Sequence, residues 1–304
     1  MIKGKLAEKN YKPRFSGHET FPFRYLWISK LLLSIRDHGP EKLNKMSLID
    51  LMVTWGVGAN MTKSIKYWGT ALNIINHKYE LTEFGSLLLT HDPYLEDQQT
   101  LWLLHWKVSS NPEFTTWFYI FNYLQVTKIN KTDLANELIT LWPKSSKNTI
   151  ERDVDVFMRM YTLSMNKKGQ MSEDSLECPL SELNIIRPTL QKGSYEIQRG
   201  AKSSLTANVF KYALAEFCKL RSSSTNLISF DNLLYSEASP AKIFCLPESA
   251  VSEYLEKIEN DKDQLFNFTD GVGGLKQIQI SKEYKLINII KSIYQNKKGA
   301  KKAA

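Results

Sequence analysis

Residues 47–89, SLIDLMVTWGVGANMTKSIKYWGTALNIINHKYELTEFGSLLL, constrain the fold more than any other part of the chain. Ser47 and Asp50 have capping-box spacing, and Gly56 and Gly58 end the helix that follows them. In the next helix Met61, Ile65, Trp68 and Leu72 recur at helical spacing, so they face a core and leave Lys63, Lys66, Tyr67 and Thr70 on the opposite side. A short strand around Lys78 and Tyr79 then leads into another capped helix. Helix, glycine turn, helix and strand in this order is the layout of a winged helix-turn-helix, whose second helix enters a DNA groove. The same layout also serves protein contacts, and both uses stand open at this level.

The remaining segments extend the pattern. Residues 21–35 are apolar on nearly every side, which predicts a helix buried all round, with Thr20 as cap and Pro22 in its first turn. Asp92 and Pro93 are expected to open a further helix that turns Asp97, Leu101, Leu104, His105 and Val108 inward. Residues 131–161 read as a second helix-turn-helix. Thr132 caps its first helix, Pro143 stops it, and Ser145 or Ser146 caps the next, whose outer face mixes Lys147, Asn148, Glu151, Arg152, Asp155 and Arg159. Residues 166–177 are polar enough for a linker. Arg187, Lys192, Arg199 and Lys202 surround Tyr195 in what reads as a solvated loop or a single-strand contact. A helix over 205–220, short helices around Pro240 and Pro247, and a glycine-turn hairpin over 266–280 complete the chain.

The fold expected from these readings is mainly α with small β wings. It runs from a basic N-terminal arm (1–14) to a winged-helix DNA-binding module (15–125) and a helix-turn-helix-like middle unit (126–165). A C-terminal α+β lobe or second winged helix (178–290) and a basic tail (291–304) follow.

The formal charge of +8 sits at the ends: residues 1–14 carry a net +4 and residues 291–304 a net +5, leaving the body near neutrality. Such ends would strengthen phosphate-backbone binding in a salt-dependent way, or simply keep the chain in solution. Three widely spaced cysteines suit a reducing compartment, and no run is long and apolar enough for a membrane, so a cytoplasmic, membrane-free location is expected. There is no GxxxxGK[ST] phosphate loop and no HExxH, which argues against nucleotide hydrolysis and zinc peptidase chemistry.

Four blocks, RFSGHETFPFR, KSIKYW, YELTEFG and DPYLEDQQTLWLLHW, together resemble the SspB-like family of bacterial single-strand DNA phosphorothioation, most strongly over the first 110 residues or so. The resemblance implies work on DNA in a phage-defence modification system, beside a cysteine desulfurase, an ATP pyrophosphatase and a P-loop ATPase. It also implies strand nicking before sulfur enters the backbone. It carries no catalytic residue over, so candidates come from the chain's own acids and histidines.

Phosphodiester hydrolysis requires a positioned water and neutralised phosphate charge, commonly through carboxylates on Mg²⁺ or Mn²⁺. Glu19 and Asp97 are the expected metal ligands, His18 or His105 the base, and Arg24 a phosphate contact. The competing reading makes Glu19 or Asp97 the buried partner of Arg24 and His105 a core histidine. The DNA contacts expected are Arg24, Lys63, Lys66, Tyr67, Thr70 and Lys78, with Lys147, Arg152 and Arg199 beyond the first module. The leading function is DNA binding with metal-dependent nicking; a non-catalytic adaptor or a protein scaffold is the alternative.

Overall fold

The computed structural model describes residues 4–163, 178–221, 227–261, 263–270, 276–281 and 283–300; the 166–177 linker lies outside them. The chain is mostly helical with two small three-stranded antiparallel sheets, and divides into a unit over Met1–Gln198 and a unit over Arg199–Ala304.

The first unit begins with α1 (Trp27–His38), α2 (Pro40–Lys45), α3 (Leu48–Trp55) and α4 (Ala59–Ala71). The capping box forms as expected: the Asp50 amide donates to the Ser47 hydroxyl while the Ser47 amide donates to the Asp50 carboxylate. Gly56, at φ +62°, ends α3 in the left-handed conformation that only a glycine adopts freely. Ile65, Trp68 and Leu72 are fully buried, and Met61 is half-buried at the helix start. After α4 the chain folds back so that Ile75 bridges to Leu81, a minimal wing, before Thr82 caps α5 (Glu83–His91). Gly85 is required there: a Cβ would stand 2.0 Å from the Ile74 carbonyl oxygen, so only a glycine lets α5 press on the wing root.

Three helix starts differ from the sequence reading, each for a hydrogen-bonding reason. α1 opens at Trp27 rather than near Phe21, because Leu26 is left-handed (φ +66°) and the Trp68 indole N–H donates to the Phe21 carbonyl at 2.9 Å, occupying an oxygen that a helix would use. Asp92 is not the cap of the next helix, α6 (Gln98–Ser109). Its carboxylate accepts the amides of Glu96 and Asp97, left-handed Leu95 (φ +56°) breaks the chain, and Asp97 caps α6 by accepting from Gln99. Asn130, not Thr132, caps α8 (Lys131–Leu141), taking the amides of Thr132 and Asp133.

The second half of this unit contains α7 (Thr115–Asn122), β1 (Lys128–Asn130), α8, α9 (Lys147–Tyr161), β2 (Ile186–Pro188) and β3 (Ser194–Ile197). The sheet order is β1-β3-β2, with Ile129 opposite Tyr195 and Arg187 opposite Glu196. Two helices between a first strand and a closing hairpin, with the last strand central, is again winged-helix topology. The run read as a loop over 186–202 supplies its wing. Trp117, Phe118, Phe121, Phe157 and Tyr161 form an aromatic core beneath it.

The second unit repeats the strand order with three helices between its first strand and the hairpin: α10 (Ala207–Arg221), β4 (Leu227–Ser229), α11 (Phe230–Tyr235), α12 (Pro240–Ile243), α13 (Glu248–Glu259), β5 (Phe266–Asp270), β6 (Lys276–Ile280) and α14 (Leu286–Ala300). Its sheet order is β4-β6-β5, and the expected hairpin is β5 with β6. Lys211 is buried inside it and donates to Asp261 and Asp263 at 2.8 and 2.6 Å. Among the described residues no helix is long and apolar enough to cross a membrane.

Candidate nucleic-acid interface

The outer face of α4 borders a groove of about 520 Å³ lined by Arg14, Lys63, Lys66, Tyr67, Thr70, His77, Asn111, Glu113 and Phe114. The core-facing spacing of Ile65, Trp68 and Leu72 forces the two lysines, Tyr67 and Thr70 outward, and the loop before α1 adds Arg14 from the other side. Its guanidinium carbon lies 5.2 Å from the Tyr67 ring centre, a cation–π stack. Gly17 makes that stack compatible with the loop: its φ is +115°, and a Cβ would stand 2.4 Å from Tyr67 Cε2. Three cations thus meet one carboxylate, Glu113, which sits 3.9 Å from Arg14 in an exposed, weak pair.

The groove's own packing tunes these groups. Lys66 Nζ lies 4.3 Å from the Tyr79 ring centre, and burial holds its ammonium below the ordinary lysine range. Burial pushes the Tyr67 phenol well above its usual range, partly opposed by the Arg14 charge, so at neutral pH it is a hydrogen-bond donor rather than an anion.

His18 anchors the loop that carries Arg14. Its Nδ1 accepts the Thr20 amide at 3.1 Å, which places the proton on Nε2, and Nε2 donates to Asp153 of α9 at 2.7 Å. Thr116 of α7 donates to the other Asp153 oxygen, and the imidazole stacks on Trp68 at 13°. The Ser64 hydroxyl donates to the His18 carbonyl, and Arg159 donates to that of Thr20. Farther back, the Tyr11 hydroxyl donates to the Pro112 carbonyl and shares a 2.7 Å hydrogen bond with Thr115. His18 is therefore a buried joint between the first module and α7 and α9.

The other candidates fall into separate sets. Glu19, half-buried at φ +50°, has no hydrogen bond or ion pair among the described residues, whereas Asp97 is spent on capping α6. His105 is fully buried, with Nδ1 2.8 Å from the Tyr161 hydroxyl and its ring edge-on to Phe121. Arg24 lies over the rings of Phe21 and Trp27, and Lys78 sits in the wing turn, where its amide donates to Asn76. Lys147 and Arg152 are exposed on α9, and Arg199 is exposed at the start of the second unit.

Mg²⁺ is a hard ion that takes one or two carboxylates together with water and phosphate oxygens. As placed here, this set offers it one unengaged carboxylate, Glu19, rather than the pair, and among the described residues no three His, Cys, Asp or Glu gather. The donor set does not fit a protein-built cage.

The sequence reading passed over Arg14 as part of a charged arm and did not single out Asn111, Glu113 or Asp153. The signal for Arg14 was Gly17, a glycine three residues on in an otherwise bulky loop; Asp153 had none, since its partner lies 135 residues away.

A model of a family, Protein of unknown function (DUF4007), matches residues 15–294. Two solved structures are similar. A magnesium ion-bound SspB crystal structure has TM-score 0.80 at 23% identity, covering 97% of this chain and 91% of that one. An SspB crystal structure has TM-score 0.81 at 24% identity, covering 96% and 91%. At this identity the likeness establishes the fold. No curated protein matches the chain.

Proposed function

The chain belongs to the DUF4007 family and has the fold of SspB, and on that premise we propose that it binds DNA, with the α4 groove as the primary phosphate-binding surface, within a phosphorothioate-modification system. The observation that carries the reading is the convergence of Arg14, Lys63 and Lys66 on the groove along the outward face of α4 in a winged-helix module. Phosphate contacts of this kind supply affinity and orientation without reading sequence. In such a system the chain delivers DNA to the cysteine desulfurase, the ATP pyrophosphatase and the P-loop ATPase.

The test is fluorescence anisotropy of a labelled duplex across a salt series. Lys63→Glu with Lys66→Glu should cut affinity at least tenfold and flatten the salt slope by roughly two ions. Unchanged affinity and slope in a folded double variant would refute this face.

Metal-dependent nicking is a second reading, and one observation favours it: Glu19 presents an unengaged carboxylate on a backbone of three positive-φ residues, Gly17, Glu19 and Thr20. Supercoiled plasmid incubated with Mg²⁺ or Mn²⁺ tests it. Nicking lost in Glu19→Ala supports this reading, nicking that persists in that variant takes Glu19 out of it, and none by the unaltered chain leaves the adaptor role.

A further inference from the structure

Leu190 is the most exposed large apolar side chain described, at 109% of its reference accessibility, and it stands at the tip of the β2–β3 wing of the middle winged helix. An isolated surface leucine needs no explanation. This one differs in its mounting. The Thr189 amide donates to the Ser194 carbonyl at 2.9 Å and the Ser194 amide to that of Gln191 at 3.0 Å, closing a tight turn around it. Lys192, two residues on, is also exposed.

The wing belongs to the same side as a second groove. The Lys131 amide donates to the Gly193 carbonyl at 2.9 Å, tying the wing base to the start of α8, and Lys131 in turn lines a groove of about 550 Å³ with Asn136, Asn148 and Arg152. This is the face that a winged helix turns toward a duplex. Its helix is short of free positive charge: Lys131 pairs with Asp155, and Lys147 lies 3.8 Å from Glu151. This face therefore attracts phosphate only weakly, and an apolar contact at the wing tip would add affinity that its charges do not supply.

We propose that Leu190 is a minor-groove wedge. With the groove of α8 and α9 against the duplex, the wing reaches the neighbouring minor groove and Leu190 enters between base pairs, unstacking one step and bending the helix axis. Apolar wedges on architectural proteins act in this way. Pyrimidine–purine steps, which unstack most readily, become the favoured sites, giving a shape preference without hydrogen bonds to bases. The hydrogen-bonded turn fixes the backbone that carries the leucine before binding, so little loop freedom is lost on contact. The inference rests on the DNA-binding reading above and adds where and how the duplex is deformed.

The experiment uses the full chain with duplexes carrying 2-aminopurine beside a single TpA step, and end-labelled duplexes for bending by energy transfer. The unaltered chain should raise 2-aminopurine fluorescence and shorten the end-to-end distance. Leu190→Met should keep both effects. Leu190→Ser should abolish both and lose about tenfold in affinity, the scale of one buried leucine, with the salt slope unchanged because no ion contact is lost. Full exposure of the side chain means that these variants fold, and circular dichroism checks it. A duplex bound by the unaltered chain yet left stacked and straight overturns the wedge while leaving DNA binding intact, as does Leu190→Ser behaving like the unaltered chain. No binding to any duplex overturns both readings.

Discussion

Replacing Asp153 by alanine should cost the first unit about 3–5 kcal/mol, the size expected when one partner of a buried, hydrogen-bonded pair is removed. The side chains of His18 and Asp153 are 3% and 2% exposed, so neither can turn to water when its partner goes. Truncation strands two donors, the His18 Nε2–H and the Thr116 hydroxyl, each at about 1–3 kcal/mol, and leaves a small void. Asp153→Asn keeps the volume and one acceptor oxygen, and Thr116 can then accept from the new amide, so its cost should be nearer 1–2 kcal/mol. Urea unfolding followed by tryptophan fluorescence and circular dichroism gives both values. For a unit of this size the alanine change should lower the melting temperature by roughly 10 °C. A cycle with His18→Ala adds the pairwise test, with coupling above about 1.5 kcal/mol expected for neighbours sharing a buried bond. An alanine variant within about 1 kcal/mol of the unaltered chain, or a coupling near zero, would show that the pair does not hold the two modules together.

Other perturbations follow from the same structure. Gly17→Ala forces a Cβ into the Tyr67 ring at a φ of +115°, and should destabilise by about 2 kcal/mol or more while weakening duplex binding through displacement of Arg14; both are read by melting and anisotropy. Because burial lowers the Lys66 pKa, this side chain loses its proton ahead of an ordinary lysine as pH rises, and duplex affinity should begin to fall below about pH 10.4. Lys66→Arg, charged throughout, should remove that early fall, and superimposable alkaline profiles would refute the assignment. For stability the sign is opposite: between the depressed folded value and the unfolded one, the unfolded chain holds the proton more tightly, so folding gains as pH rises. In the second unit, Lys211→Ala should cost about 2–4 kcal/mol, whereas Lys211→Met should stay within about 1 kcal/mol. Asp261 and Asp263 are exposed enough to rehydrate, and the methionine refills the space; chemical denaturation compares the two.

What the sequence made legible was local. The Ser47–Asp50 box, the burial of Ile65, Trp68 and Leu72, and the outward lysines follow from spacing within a few residues, and all appear in the fold. The same holds for the β5–β6 hairpin, whose strands pair in antiparallel register from Phe266 with Ile280 to Asp270 with Lys276. Asp92 shows how local reading fails: expected to cap the helix that follows, it spends both oxygens on the turn that precedes α6. The sheet of the middle module was invisible because β1, three residues long, finds its partner β3 across some 65 positions, too short a signal at too long a range. Half of the groove on α4 was legible from the helix alone. Arg14, Asn111 and Glu113 reach it only through tertiary folding, just as His18 reaches Asp153.

The joint at His18 also bears on how the chain can be divided. Written out, residues 15–125 resemble a detachable cassette. In the folded chain, however, the His18 imidazole finds its acceptor on α9, and the Thr20 carbonyl takes Arg159 from the same helix. A truncated chain ending before α9 would bury an imidazole N–H with nothing to receive it. The two winged helices of the first unit should thus be excised or exchanged as one piece, with chimeras cut after Gln198 rather than between them.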